Sequence, residues 1–220
     1  MRVGAIVPQK LIRLAKSRLA GALAPEARGA LSLALLGTVC AALRAVPAIE
    51  EVAVLTPDPL VRAWADARGV RTLVDHGVGL NAALDAALAS AVAPSRAILV
   101  IASDLPLLQP VDVATFLSRA GTDTVVLAPS KDGLGTNAML LPPGIRLRPA
   151  YGEGSLLAHR RAAIARGVRT IEVRRPGLAL DIDDPVDLLY VGTAAGAVPA
   201  TIWARSARFD ADGGTGTGPS

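Results

Sequence analysis

Five short runs rich in Val, Ile, Leu and Ala constrain the fold more than any other feature of this chain. They lie at Arg2–Val7, Glu51–Thr56, Val70–Val74, Ala97–Ala102 and Thr124–Ala128, each bounded by Pro, Gly or Asp. Near-continuous apolarity over such short lengths is the pattern of strands covered on both faces, not of half-exposed strands, which alternate. Between the runs the spacing predicts helices over Arg28–Val46, Pro59–Arg68, Leu80–Ala91 and Val111–Ala120. Strand and helix in alternation imply an α/β chain with a mostly parallel sheet and helices on both faces, Rossmann-like in its first half.

The second half departs from simple alternation. Ala138–Leu141 reads as a strand ending at Pro142-Pro143, Gly154–Arg166 as a helix, Arg169–Val173 as a strand and Pro185–Gly196 as a last helix. A chain of 220 residues suits one domain, expected over 1–205. Residues 206–220 are expected to form a disordered tail, because Asp210–Ser220 is rich in Gly, Thr and Asp and has no apolar face.

Composition narrows the function classes. The apolar stretch Ala30–Leu43 is too short to span a bilayer, and Gly192, Gly196 and Pro199 interrupt Leu188–Ala204, so both read as buried helices. Residues 1–8 lack the basic and extended apolar regions of a signal peptide, and Cys40 is alone, so the cytoplasm is the expected location. The net charge of +4 and pI near 9.8 are dispersed, without a basic run or aromatic-interleaved stripe, so nucleic acid is not an expected partner. With two histidines and one cysteine, a His/Cys metal centre or Cys-His nucleophilic catalysis is disfavoured.

In an open parallel sheet, ligands bind beyond the carboxyl ends of the strands, and the polar clusters of this chain sit there. After the first run come Pro8, Lys10, Lys16 and Arg18; after the second, Thr56 and Asp58; then Gly79-Leu80-Asn81; and after the fourth, Asp104 before Leu105-Pro106. Three cations in one loop can cradle a triphosphate and stabilise a departing pyrophosphate, although a solvated basic turn has the same composition. Neither a Walker loop nor a Gly-x-Gly-x-x-Gly fingerprint is present, which disfavours P-loop NTPases and dinucleotide oxidoreductases.

Asp104 is expected to project from the end of a central strand. Asp181 and Asp183 are expected to end a late strand, where alternation puts both carboxylates on one face. A carboxylate pair with a distant third suits Mg2+, which takes few protein ligands and leaves the rest to water and phosphate. The alternative for Asp183-Asp184-Pro185 is helix capping, and Asp184 is the better cap. Gly133–Asn137 and Tyr151–Ser155 are small-residue loops, the second opening onto a helix, and either suits an anion or an ordinary turn capped by Ser155. His159 is expected to pack or hydrogen-bond rather than act as a ligand.

Pro8-x-Lys10, Ala15-Lys16-Ser17-Arg18-Leu19, Gly79-Leu80-Asn81, Asp104-Leu105-Pro106, Ala128-Pro129-Ser130, Gly135-Thr136-Asn137, Gly152-x-x-Ser155 with His159, and Asp181-Ile182-Asp183-x-Pro185-x-Asp187-Leu188 follow one another in order. Together they resemble the phosphoenolpyruvate or 2-phospho-L-lactate guanylyltransferase family of coenzyme F420 biosynthesis, over about residues 3–190. Ser103, Gln9 and Leu156 depart from the family pattern, where Ala precedes Asp-Leu-Pro and Phe follows Gly-Ser.

The resemblance implies the nucleotidyltransferase variant of the Rossmann-like fold, akin to that of metal-dependent glycosyltransferases and molybdopterin nucleotidyltransferases. It implies GTP as donor, a phosphorylated three-carbon acid as acceptor and release of pyrophosphate. Asp104, Asp181 and Asp183 would hold magnesium, and Thr136, Gly152 and Ser155 would bind the acceptor. Lys10, Lys16 and Arg18 would face the triphosphate, Lys16, Arg18 and Asp104 serving catalysis, and Gly79, Leu80 and Asn81 would lie near the nucleoside. Two other readings stay open: another nucleotidyl- or glycosyltransferase of the same fold, and a non-catalytic nucleotide sensor. The expected partners are small molecules, with neither nucleic acid nor membrane, and Leu188–Ala204 is a candidate homodimer surface.

Overall fold

The computed structural model describes residues 1–75, 79–91 and 96–194. Its seven strands are β1 (Val3–Pro8), β2 (Ile49–Thr56), β3 (Arg71–Val74), β4 (Ala97–Ile101), β5 (Thr124–Pro129), β6 (Thr136–Leu141) and β7 (Arg169–Glu172). The helices are α1 (Pro25–Arg44), α2 (Pro59–Asp66), α3 (Leu80–Ala91), α4 (Pro110–Leu117), α5 (Ser155–Ile164), α6 (Pro176–Ala179) and α7 (Pro185–Ala194). The strands form one sheet in the order β3-β2-β1-β4-β6-β5-β7. All pairs are parallel except those of β6, which runs antiparallel to β4 and β5. The irregular second half of the sequence pattern is therefore a hairpin: β5 turns through Ser130–Gly135 and returns as β6 beside the central strand β4.

Both faces of the sheet are covered, as the apolar runs require. On one face α1, α2, α4 and α6 bring Leu36, Val39, Leu43, Val61, Phe116 and Leu178 against Val3, Val7, Val54, Leu99 and Val126. On the other, α3 and α5 bring Leu84, Leu88, Leu156 and Ala163 against Ile6, Ile98, Val100, Leu127 and Met139. Helix α1 is long and apolar enough by composition to cross a membrane, yet Leu36, Val39 and Leu43 are 0 % exposed against this core. Truncating a side chain such as Phe116 there would cost about 3–5 kcal/mol.

A third cluster joins Leu19 of the first loop, Leu31 and Leu35 of α1, and Leu180, Ile182, Leu188 and Val191 around α7. It ties the first loop to the Asp181–Asp183 segment and so holds the two ends of the site together. The tail, 206–220, the end of the last expected helix at Ala195 and Gly196, and the stretch from 195 to 204 lie outside the described residues.

One expectation about local structure is corrected. Asp181 and Asp183 do not end a strand, because Pro176–Ala179 winds into the short helix α6 and Leu180–Asp183 runs outside the sheet. Pro176 opens that turn, where its missing N–H costs nothing. The side-chain amide of Asn137 donates to the carbonyls of Leu178 and Ala179 at 3.1 and 3.0 Å, satisfying two groups that a helix C-terminus leaves open.

Candidate active site

The cavity of about 390 Å³ lies past the carboxyl ends of β1 and β4, where an open α/β sheet places ligands. Lys10, Lys16 and Arg18 border it on one side, Ser103, Asp104 and Asp183 on another, and Thr136 and Tyr151 on a third. A shallower neighbour of about 250 Å³ shares Pro8, Gln9, Lys10 and Leu80 and adds Leu55, Pro57, Asp75 and Gly79. The start of the first loop, with Leu14 and Leu80, borders both.

Lys16 is the pivot of the polar part. Its backbone is left-handed, at φ 54°, the one non-glycine residue with positive φ among those described. Such a conformation costs of order 1 kcal/mol or more and persists only where surroundings enforce it. Here the ammonium donates to Asp104 Oδ2 at 2.5 Å and to the carbonyl of Ile182, and lies 3.8 Å from Asp183 Oδ1. Its side chain is only 8 % exposed. Arg18, by contrast, is a solvent-facing side chain 3.7 Å from Asp183 Oδ2.

The carboxylates are gathered from distant parts of the chain by backbone contacts. The Ile182 N–H donates to the Asp104 carbonyl at 3.3 Å, stitching the 180–183 segment to the end of β4. Leu180 and Ile182 are buried, which turns Asp181 and Asp183 the other way; the alternation expected of a strand survives without the strand. Burial raises the pKa of Asp181, and the neighbouring charges of Asp104 and Asp183 raise it further.

Among the described residues no three His, Cys, Asp or Glu side chains form a ready-made metal cage. The donor set nonetheless fits a hard cation. Asp104 and Asp183 both face the Lys16 ammonium, their charges also reach Asp181, and all the donors are oxygens.

Asp184 and Asp187 divide the capping work at α7. Asp184 Oδ1 accepts from the N–H groups of Val186 and Asp187, while Asp187 Oδ2 accepts from those of Asp183 and Asp184 at 2.8 and 3.0 Å. Lys131, from the β5–β6 turn, holds the other oxygen of Asp187. Burial alone would raise the Asp187 pKa, but Lys131 and the two N–H groups bring it below the usual carboxylate range.

The expected acceptor residues are contiguous. Ser155 Oγ lies 3.4 Å from Thr136 Oγ1, and the Ser155 N–H donates to the Gly152 carbonyl at 3.2 Å. Ser155 is the first residue of α5 and not its cap, which is Gly154. Asn81 exchanges two hydrogen bonds with the Tyr151 backbone, at 2.9 and 2.7 Å, and so fastens this loop to α3.

Of the predicted residues, Asn81, Gly152, Ser155, Asp181, Thr56 and Asp58 do not line the two cavities; the first four stand behind residues that do, whereas Thr56 and Asp58 serve the backbone. Asp58 spends one oxygen capping α2 through Leu60 N–H and the other on Ile12 N–H at 2.6 Å, and Thr56 Oγ1 accepts from Asp58 N–H. Their observed contacts hold the first loop in place.

Asn137, Tyr151, Lys131 and Asp187 were not singled out as functional from the sequence. Asn137 and Asp187 stood inside recurring motifs, and that was the available signal.

Similarity to known proteins agrees with this geometry. A solved protein from Desulfovibrio desulfuricans described as a nucleotide-diphospho-sugar transferase superposes with a TM-score of 0.73, at 15 % identity, covering 96 % of each chain. A nucleotidyl transferase from Methanothermobacter does so with a TM-score of 0.63, at 18 % identity, over 88 % of this chain and 97 % of that one. The fold is that of nucleotidyltransferases, and the chain is an enzyme of this class.

Within the class, the chain belongs to the family described as guanylyl transferase CofC like, whose model matches residues 2–213. A phosphoenolpyruvate guanylyltransferase of Rubrobacter xylanophilus is 41 % identical over 198 residues, covering 89 % of this chain and 96 % of the relative. One of Sphaerobacter thermophilus is 38 % identical over 185 residues, covering 84 % and 89 %.

Proposed function

We propose that this chain transfers guanylyl from GTP to phosphoenolpyruvate or 2-phospho-L-lactate, with 3-phospho-D-glycerate as a further candidate, and releases pyrophosphate in coenzyme F420 biosynthesis. The observation that carries the proposal is one cavity bordered by a cationic loop, the Asp104/Asp183 pair and the Thr136 corner, each supplied by a different part of the chain. The names of the relatives support the choice of donor and acceptor.

An oxygen of the acceptor phosphate attacks the α-phosphorus of GTP in line, and the bond from that phosphorus to the β-phosphate oxygen breaks. The acceptor phosphate is ionised at neutral pH, so no protein nucleophile or general base is needed, and catalysis comes from positioning and charge neutralisation. Lys10, Lys16 and Arg18 offset the charge of the triphosphate and of the departing pyrophosphate. Thr136, Gly152 and Ser155 hold the acid, while Pro8, Gly79 and Leu80 border the nucleoside space and Asn81 holds the adjoining loop. Asp104, Asp181 and Asp183 would hold magnesium, which supplies charge neutralisation on the phosphates when bound.

The substrates of this reading are cytoplasmic small molecules, with neither nucleic acid nor membrane involved; a homodimer through the chain's C-terminal helix remains part of the proposal.

Mass spectrometry of the product from GTP, magnesium and each of the three acids tests it. A guanosine diphosphodiester with one acid is expected, and pyrophosphate release from ATP, CTP or UDP-sugars in preference to GTP would overturn the donor assignment.

A further inference from the structure

The acceptor corner contains hydrogen bonds whose direction the geometry fixes. His159 on α5 is 0 % exposed and both ring nitrogens are engaged: the Ala150 N–H lies 3.0 Å from Nε2, and Thr136 Oγ1 lies 3.0 Å from Nδ1. A backbone N–H can only donate, so Nε2 presents its lone pair. Burial lowers the imidazole pKa to about 4, so the ring is neutral at working pH and its single proton resides on Nδ1. Nδ1–H therefore donates to Thr136 Oγ1.

Ser155 Oγ lies 3.4 Å from the same threonine oxygen. Because Nδ1–H donates to that oxygen, the threonine's own proton cannot point at the ring and is left for another acceptor, and Thr136 lines the cavity. The edge of the imidazole rests against Tyr151, ring centroids 4.8 Å apart and planes at 69°, and Tyr151 lines the same cavity. The ring is thus held by three neighbours and cannot readily turn over.

We propose that His159 is a positioning residue that fixes the Thr136 hydroxyl as a one-way hydrogen-bond donor into the cavity, where it meets an anionic oxygen of the phosphorylated acid. Because the donor is oriented before the ligand arrives, the acid does not have to order it. Sequence position alone made His159 a packing or hydrogen-bonding residue; the two opposed contacts on its ring make it directional. The inference rests on the proposed placing of the acceptor at Thr136.

Two measurements test it. The first is nitrogen-15 NMR of the wild-type chain at neutral pH, with the two histidines distinguished by a His76→Gln variant. The expected signature for His159 is a protonated, pyrrole-type Nδ1 and an unprotonated Nε2; an Nε2–H tautomer or an imidazolium would overturn the proposal without any variant of His159 having to fold.

The second is steady-state kinetics. His159→Leu should raise the KM for the acid about tenfold or more, the worth of one hydrogen bond to a charged group, and leave the KM for GTP unchanged. His159→Asn, whose amide can still donate toward Thr136, should recover much of the loss. An equal rise in both KM values, or no rise for the acid, would reduce His159 to a packing role. Thr136→Val separates the two layers of inference. An unchanged KM for the acid in that variant would overturn the placing of the acceptor itself, whereas a raised KM there with a silent His159→Leu would overturn the histidine's role alone.

Discussion

Replacing Gly177 by alanine puts a methyl group where the structure has no room for one. The added Cβ would lie 2.2 Å from Asp112 Oδ2 and 2.7 Å from the Leu107 carbonyl oxygen. Neither neighbour can give easily. Leu107 presents backbone, and Asp112 is held from two sides, by Arg175 Nε at 2.9 Å and by the Gln109 N–H at 3.1 Å. Asp112 is also 5 % exposed, so displacing it would strip a buried carboxylate of its partners.

Overpacking of this kind costs about 1–3 kcal/mol, and with the Arg175 pair strained a loss of about 2 kcal/mol is expected. For a chain of this size that lowers Tm by about 4–8 °C. Turnover should fall as well, because α6 is the element that delivers Asp181. Urea unfolding and pyrophosphate release would be measured together on Gly177→Ala and on Asp112→Ala/Gly177→Ala. The double variant should lose less stability than the sum of the two single changes, since removing the carboxylate removes the clash. A Gly177→Ala protein within about 0.5 kcal/mol of wild type would refute the close-packing argument.

Further expectations concern the charged groups. Asp104→Asn and Asp183→Asn should each reduce turnover at saturating magnesium, and unchanged rates in both would sink the metal assignment. Asp181→Asn should abolish turnover yet raise Tm in the absence of metal. The pKa of Asp181 is raised in the fold, so its ionisation above the unfolded value of about 3.9 opposes folding, and a neutral amide escapes that cost. Magnesium should raise the Tm of wild type more than that of this variant, as differential scanning fluorimetry would show. Asp187 has the opposite sign. Its lowered pKa contributes stability that is present above the unfolded value and lost as pH falls through the folded one. Lys131→Met should therefore move the acid-unfolding midpoint to higher pH, and an unmoved midpoint would show that the pair does not stabilise the fold.

The parts of this molecule that were legible in the sequence are those decided by local pattern. Runs such as Ile98–Ile101 name a strand buried on both faces, and Pro59 opens a helix where a proline is tolerated. Asp104 could be placed because the end of a central parallel strand is where ligands bind. What escaped was decided by tertiary contact. Pro176–Ala179 looks extended by composition, and becomes helical where Asn137 from β6 can close its C-terminus. The Lys131–Asp187 pair spans the β5–β6 turn and α7, and no spacing along the chain foretells it.

The aspartate pair shows why a wrong element can still give a usable site. Alternation puts Asp181 and Asp183 on one side whether or not the segment joins a sheet, because the physical requirement is only that Leu180 and Ile182 find a core. They find it against Leu19, Leu31 and Leu35, the residues that follow Lys16 into α1. The same small cluster therefore sets the distance between the cationic loop and the carboxylates. Shortening Ile182 to alanine should consequently disturb turnover through the Lys16–Asp104 contact although its side chain does not line the cavity, and it should cost about 2–5 kcal/mol of stability. A variant that lost stability on that scale yet kept the wild-type rate at low temperature would separate the core from the site and refute this coupling.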